Sequence, residues 1–341
     1  MKMWAQAGAG TRGASAPDTQ RRQLQNALRA VELSRTVRFD HALGPYTTFQ
    51  IGGPAWAVVE PVNARELQRV LAAARDTATS TLTLGAGSNL LVRDGGFPGV
   101  AIKLAGAFDT IADVRVHKEG EGRGLIMIGA AVSLQRVIRR AVERGYWSLL
   151  RLVGIPGTMG GAVAMNAGTG REAAERGAVV DGYVGDLVVS VGVVDADGAW
   201  DLSHDECQFR YRRTTLPPMS VISDAFVDVG PERGTPEELQ EAVRAKLSRR
   251  RASQPLQFPN VGSIFKNPPG EHAARLVEAA GMKGHRLGGA EVSPMHANFI
   301  INHDRTARAA DVLALIALCQ EKVRQMFGVE LEPEVRVVGV D

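Results

Sequence analysis

The stretch GIPGTMGGAVAMNAG at residues 154–168 constrains this chain more than any other. Glycine lets a backbone approach a neighbour more closely than any side chain allows, so a run this dense in Gly and Ala marks main chain pressed against something flat or crowded. A bound cofactor satisfies that description, and so does close packing of a loop on a helix. A second such stretch, TLGAGSNLLVR at residues 83–93, leads from a strand-like run into Gly85, Ala86, Gly87, Ser88 and Asn89. Successive backbone amides with a serine hydroxyl make an anion cradle, although a tight turn after a strand reads the same way. A Rossmann dinucleotide loop requires a third glycine where Leu90 stands, followed directly by a helix; here the chain continues Leu-Leu-Val-Arg, which reads as strand. Two glycine-rich cradles point to a large phosphate-bearing cofactor held outside a Rossmann fold.

At 341 residues the chain exceeds what one hydrophobic core serves, so two or three lobes are expected. The net charge of +3 with scattered arginines gives no support to a nucleic-acid partner but suits a small anionic substrate. The two cysteines, Cys207 and Cys319, lie far apart, which argues against a disulfide framework or a cysteine zinc site, and no metal is expected. No segment has the unbroken apolar length of a membrane span or a signal peptide, so a cytoplasmic location is expected.

Residues 1–35 are rich in Ala, Gly, Ser, Arg and Gln and are expected to form a disordered extension, with a short helix within 23–33. Beyond it, strands and helices alternate. Leu67, Val70, Leu71 and Ala74 share one helical face, as do Leu134, Val137, Ile138, Ala141 and Val142, with Gly145 where a C-terminal cap falls. Thr235, Pro236 and Glu238 make a helix start after Gly230, Pro231 and Gly234, and a new lobe is placed there. The basic end of that helix, Arg249, Arg250 and Arg251, reads as a solvated terminus. A last helix is expected over 309–327, stopped by Gly328.

Three further segments carry polar chemistry. In FRYRRTT (209–215), Tyr211, Arg212 and Arg213 stand together, and a guanidinium can grip a carboxylate through two hydrogen bonds. In NVGSIFKNP (260–268), Gly262 can project the Ser263 hydroxyl from a tight bend, while Lys266 and Asn267 add a cation and an amide. In LEPEVR (331–336), Glu332, Glu334 and Arg336 would share one face of a strand, the usual mark of a solvent-facing side. A lone His296 reads as a structural residue.

In this order and spacing, TTFQIGGPA, GAGSNLLV, GIPGTMGG, YR, GSIFKNP, HANFIIN and LEPEVR resemble the successive signatures of the UDP-N-acetylenolpyruvoylglucosamine reductases, from about Tyr46 to the C-terminus. The resemblance implies an α+β chain: a two-subdomain FAD-binding fold of the vanillyl-alcohol-oxidase (PCMH) type over 36–105 and 106–232, plus a C-terminal α+β substrate-binding domain over 233–341. It implies that NADPH reduces FAD and that the enolpyruvyl group of a UDP-sugar then receives the hydride, giving UDP-N-acetylmuramate. Arg212, Ser263 and Glu334 fall on the family's catalytic positions, the serine as proton donor. Gly85, Ala86, Gly87, Ser88, Asn89, Leu90, Gly154, Ile155, Pro156, Gly157, Gly160, Gly161 and Asn166 are then expected to hold FAD. Tyr211, Lys266, Asn267, His296 and Arg336 are expected to contact substrate.

The chain departs from the family pattern where Thr169, Gly170 and Arg171 replace a tyrosine-glycine pair. The short span between Val229 and Thr235 leaves no room for the tyrosine-bearing insertion of one class, so the chain resembles the class without it. A different flavin oxidoreductase would share the two cradles but has no need of GSIFKNP and LEPEVR. A non-catalytic UDP-sugar-binding protein would not need Arg212, Ser263 and Glu334 to converge.

Overall fold

Local capping signals become helices in the computed structural model, which describes residues 16–114, 124–168 and 182–341. Helix α1 spans Ala16–Ala30, and α2 (Ala64–Asp76) starts at Asn63, whose side chain accepts from the Glu66 amide at 2.9 Å. Helix α3 (Leu134–Arg144) is capped by Ser133 and ends at Gly145 in the left-handed conformation. After the short α4 (Met159–Ala164) and α5 (His204–Cys207), α6 (Pro236–Ser253) opens on the reciprocal Thr235 and Glu238 capping bonds. Helix α7 covers Ala273–Ala279, and α8 (Ala309–Phe327) stops at left-handed Gly328.

The short helix expected within 23–33 of the extension runs instead over Ala16–Ala30, because Leu24 and Leu28, one turn apart, are buried against the core that contains α2. Burying each leucine contributes about 1.5–3 kcal/mol, which offsets part of the entropy of ordering the helix. The Gln20 amide also donates to the carbonyls of Thr77 and Ala78 just past the end of α2 (3.2 and 2.7 Å). The first residues of that extension, and Thr169, Gly170 and Arg171, lie outside the described residues.

Strands β1 (Arg38–Ala42), β2 (Pro54–Val59), β3 (Ser80–Thr83), β4 (Leu90–Val92) and β5 (Phe97–Ile102) build the first lobe; its sheet runs β1-β2-β5-β3, antiparallel at β1 and parallel elsewhere. An antiparallel sheet in the order β6-β7-β10-β8-β9 makes the second, from β6 (Ile111–Val114), β7 (Leu125–Gly129), β8 (Val188–Val194), β9 (Ala199–Ser203) and β10 (Val221–Asp228). One core joins both lobes: Val59, Val100 and Ile102 of the first are buried with Ile126, Ile128 and Val191 of the second. A third sheet consists of β11 (Arg286–Leu287), β12 (Ala290–Val292) and β13 (Ile300–Asn302), covered by α8.

The C-terminal lobe is stitched to the first. Strand β14 (Arg336–Val338) pairs in parallel with β4, and Phe49, Ile51 and Leu91 lie in the C-terminal core. Asp94 accepts from the amides of Ala309 and Ala310 (2.9 and 3.0 Å), so a carboxylate of the first lobe caps α8. Helix α6 packs instead on the second lobe, through Leu239 against Leu150 and Val153. Among the described residues no helix is long and apolar enough to cross a membrane.

Candidate active site

The two glycine-rich stretches meet face to face. The Ser88 hydroxyl donates to the Pro156 carbonyl at 3.2 Å, and a Cβ on Gly85 would lie 2.7 Å from the Thr158 hydroxyl. A cavity of about 270 Å³ on one side is lined by Gly85, Ala86, Lys103, Thr158, Gly160 and Gly161. A larger one of about 980 Å³ on the other side is lined by Ser88, Gly154, Ile155 and Pro156, then by α3, α6 and residues 256–260. The cradle fits a cofactor by a direct criterion: Gly161 has ordinary helical backbone, and a Cβ there would meet nothing closer than the Thr158 hydroxyl at 3.6 Å. The protein itself does not demand glycine at that position, so the open space is what glycine preserves.

Other expected cofactor residues serve the fold as well. Gly87 has φ +63°, and a Cβ there would lie 2.3 Å from the Tyr46 carbonyl, so backbone packing alone requires glycine. Gly157 takes φ +120° and accepts from the Leu134 amide at 3.0 Å. Leu90 is buried in β4 opposite Arg336. The Asn89 side chain donates to the Glu334 carbonyl at 3.1 Å and its own carbonyl accepts from the Arg336 amide at 3.1 Å, which fastens the first cradle to the C-terminal segment. Asn166 lines neither cavity; its side-chain amide is buried and bonded to backbone at both ends.

Three remote segments converge beside the cradles. Arg210 and Arg213 exchange backbone hydrogen bonds (2.9 and 3.1 Å), closing a hairpin with Tyr211 and Arg212 at its tip. Arg212 has φ +56°, and its guanidinium donates to the Gly168 carbonyl at 2.9 Å while Nε lies 2.5 Å from the Glu334 carboxylate. The segment of Glu334 pairs with that of Ser263: the Glu334 amide donates to the Ile264 carbonyl (2.7 Å) and the Lys266 amide to the Glu332 carbonyl (2.9 Å). Asn298 braces the serine segment, its side chain accepting from the Phe265 amide and donating to the Phe265 carbonyl (2.9 and 2.8 Å).

Burial pushes the Glu334 carboxyl above its ordinary range, although the Arg212 charge and hydrogen bond and the Lys266 charge oppose it. Desolvation outweighs the ion pair because only 12% of this side chain is exposed. The expectation that Glu332, Glu334 and Arg336 share one solvent face fails, since regular strand begins only at Arg336. Glu332 points outward to the Lys266 ammonium (2.5 Å) and Glu334 inward to Arg212.

Of the residues expected to contact substrate, Tyr211 is exposed at the hairpin tip under the Arg212 guanidinium, and Arg336 is exposed. Asn267 accepts from the Ala273 amide at 3.1 Å, which fixes the start of α7. His296 packs edge-on to Phe299 and burial lowers its imidazole, in keeping with a structural role.

Sequence reasoning missed Arg250. Read as part of a solvated helix end, it lines the larger cavity, and burial depresses its guanidinium. Its side chain donates to the neutral Gln254 amide oxygen (3.0 and 2.7 Å), and among the described residues no carboxylate pairs with it. A half-buried cation without an anion is a site signal that charge spacing cannot reveal. Arg139, Arg251 and Arg305 line the same cavity.

Residues 254–338 match the family described as the C-terminal domain of UDP-N-acetylenolpyruvoylglucosamine reductase, and residues 55–201 match the FAD binding domain family. A protein of the reductase name from Syntrophotalea carbinolica is 39% identical over 90% of this chain and 96% of its own. The chain belongs to the UDP-N-acetylenolpyruvoylglucosamine reductase family. The family's namesake from Moorella thermoacetica is likewise 39% identical, over 93% of this chain and 96% of its own. The crystal structure of the Thermus caldophilus reductase superposes with a TM-score of 0.69 at 33% identity, covering 89% of this chain and 98% of that one. FAD is therefore the cofactor, on the two-subdomain FAD-binding fold with the reductase C-terminal domain added.

Proposed function

We propose that this enzyme reduces the enolpyruvyl group of UDP-N-acetylenolpyruvoylglucosamine with NADPH to give UDP-N-acetylmuramate, and that Arg212, Ser263 and Glu334 act on the substrate. The observation that carries the reading is the 2.5 Å contact of Arg212, on the second lobe, with Glu334, on a C-terminal segment paired to that of Ser263. When bound, FAD supplies the two-electron carrier between NADPH and the enolpyruvyl double bond. Gly85, Ala86, Ser88, Gly160 and Gly161 would hold it, with Gly154, Ile155 and Pro156 on the other side of the cradle.

Hydride arriving at one carbon of the double bond leaves negative charge that spreads onto the adjacent carboxylate. The Arg212 guanidinium is suited to that carboxylate, and Ser263 gives its hydroxyl proton to the other carbon. A substrate carboxylate that engages Arg212 competes with Glu334 for it. Burial is then opposed by less positive charge, and Glu334 takes up a proton and serves as a neutral donor to the developing enolate. Reoxidation of prereduced enzyme by substrate should therefore fall as pH rises through the raised pKa of Glu334, and Glu334→Gln, neutral at every pH, should lack that limb. Stopped-flow pH profiles of the two proteins check this, and identical profiles would remove Glu334 from the step.

The larger cavity, with apolar walls and four arginines, suits the nucleotide diphosphate of the substrate and the phosphates of NADPH. Hydrogen bonds to charged groups are worth about 1.5–3 kcal/mol, so Arg250→Met should raise KM for the UDP-sugar by about 10- to 160-fold with FAD retained. Unchanged KM values for both substrates would move them elsewhere. The chain also fits the class without the tyrosine-bearing insertion, since β10 ends at Asp228 and α6 begins at Pro236. UDP-sugars and NADPH are cytoplasmic metabolites, which favours that compartment.

A further inference from the structure

We propose that Asn166 is a positioning residue for Arg212 rather than a cofactor ligand. Its Oδ1 accepts from the Gly185 amide at 2.9 Å and its Nδ2 donates to the Arg210 carbonyl at 3.0 Å. That carbonyl is also the acceptor that closes the Arg210–Arg213 hairpin, so Asn166 holds the hairpin at its base, two residues from the guanidinium. Two more bonds fasten the same hairpin to the same stretch of chain. The Thr214 hydroxyl donates to the Val163 carbonyl at 2.5 Å, and Arg212 itself to the Gly168 carbonyl at 2.9 Å.

The need for such fastening follows from the backbone. Arg212 sits in the left-handed region at φ +56°, a conformation that a non-glycine residue keeps only when its surroundings dictate it. Asn166 is itself left-handed at φ +39°, where Asn and Asp are tolerated better than other side chains. Only asparagine combines that tolerance with a donor for Arg210 and an acceptor for Gly185. The site is close-packed, since a Cβ on Gly185 would lie 2.8 Å from the Asn166 oxygen. The stretch 163–168 is the last turn of α4 and the chain that leaves it, so the arginine hangs from the segment that follows the proposed FAD cradle.

The inference rests on the proposed role of Arg212 in the substrate half-reaction, and Asn166→Asp isolates it. Aspartate keeps the left-handed backbone and the acceptor for Gly185 but loses the donor to Arg210. Asn166→Asp should keep FAD, its reduction rate by NADPH and KM for NADPH, while single-turnover reoxidation at saturating substrate slows by about tenfold or more, as expected for loss of a buried hydrogen bond of about 1–3 kcal/mol. Combined with Arg212→Ala it should add nothing further, because a positioning residue has no effect once the residue it positions is gone. Should Asn166→Asp not fold, Thr214→Val, which cuts another of the three ties, is expected to give the same split and the same non-additivity. Loss of FAD from folded Asn166→Asp, a wild-type reoxidation rate, or a loss that multiplies with that of Arg212→Ala overturns the inference. A wild-type rate in Arg212→Ala alone would instead defeat the catalytic reading, and the inference with it.

Discussion

Ser263→Ala is expected to bind FAD and accept hydride from NADPH like the wild type, while reoxidation by the enolpyruvyl substrate falls by about 10²–10⁴-fold, the usual contribution of a positioned general acid. A serine hydroxyl is a weak acid, so the role requires a strongly basic carbanion centre and a donor held in place. The holding is visible in the structure. Ile264 donates to the Asn298 carbonyl (2.9 Å) and accepts from Glu334, and Phe265 is gripped at both polar atoms by the Asn298 side chain. Gly262, at φ +79°, makes the bend before the serine. Among the described residues the Ser263 hydroxyl bonds to no protein group, so it caps no turn, and removing it should change stability by no more than about 0.5 kcal/mol. Single-turnover reoxidation with a thermal melt separates chemistry from folding. Wild-type reoxidation in the alanine variant would defeat the proton-donor role. Ser263→Cys should retain part of the rate, since a thiol also donates.

Gly161→Val should give a folded protein that holds its cofactor more weakly. The helical backbone accepts valine, which is no worse a helix former than glycine, and the Cβ meets only the Thr158 hydroxyl at 3.6 Å. The branched side chain would then fill part of the cavity of about 270 Å³. Overpacking of about 1–3 kcal/mol corresponds to a loss of FAD affinity of about 5- to 160-fold. Titration of the apoprotein with FAD, with circular dichroism to verify folding, reads this directly, and a wild-type FAD affinity in Gly161→Val would displace the cofactor from the cavity. Gly87→Val is a poorer probe of the same cradle, because its Cβ strikes the backbone of Tyr46 and Thr47 and would empty the site by damaging the fold.

The sequence by itself determined the features whose causes are local. The caps at Gly145, Thr235 and Gly328 mark helix ends because the groups they satisfy lie within a few residues, and α3, α6 and α8 end where those residues stand. The close approach of the two glycine-rich stretches was legible because it leaves its mark in composition. Tertiary structure decided everything that depends on a partner remote in the chain. Glu332 and Glu334 are alike in LEPEVR, yet one reaches Lys266 at the surface and the other is buried against Arg212. Arg250 looked like the solvated end of a helix until α6 packed on the second lobe and turned it into a cavity. Leu24 and Leu28 are too few to predict order for the N-terminal segment, but the fold supplies the apolar surface that binds them. Asn166, beside a cradle in sequence, turns its amide to the hairpin of Arg212 because its polar atoms must find buried partners, and the nearest come from residues 185 and 210.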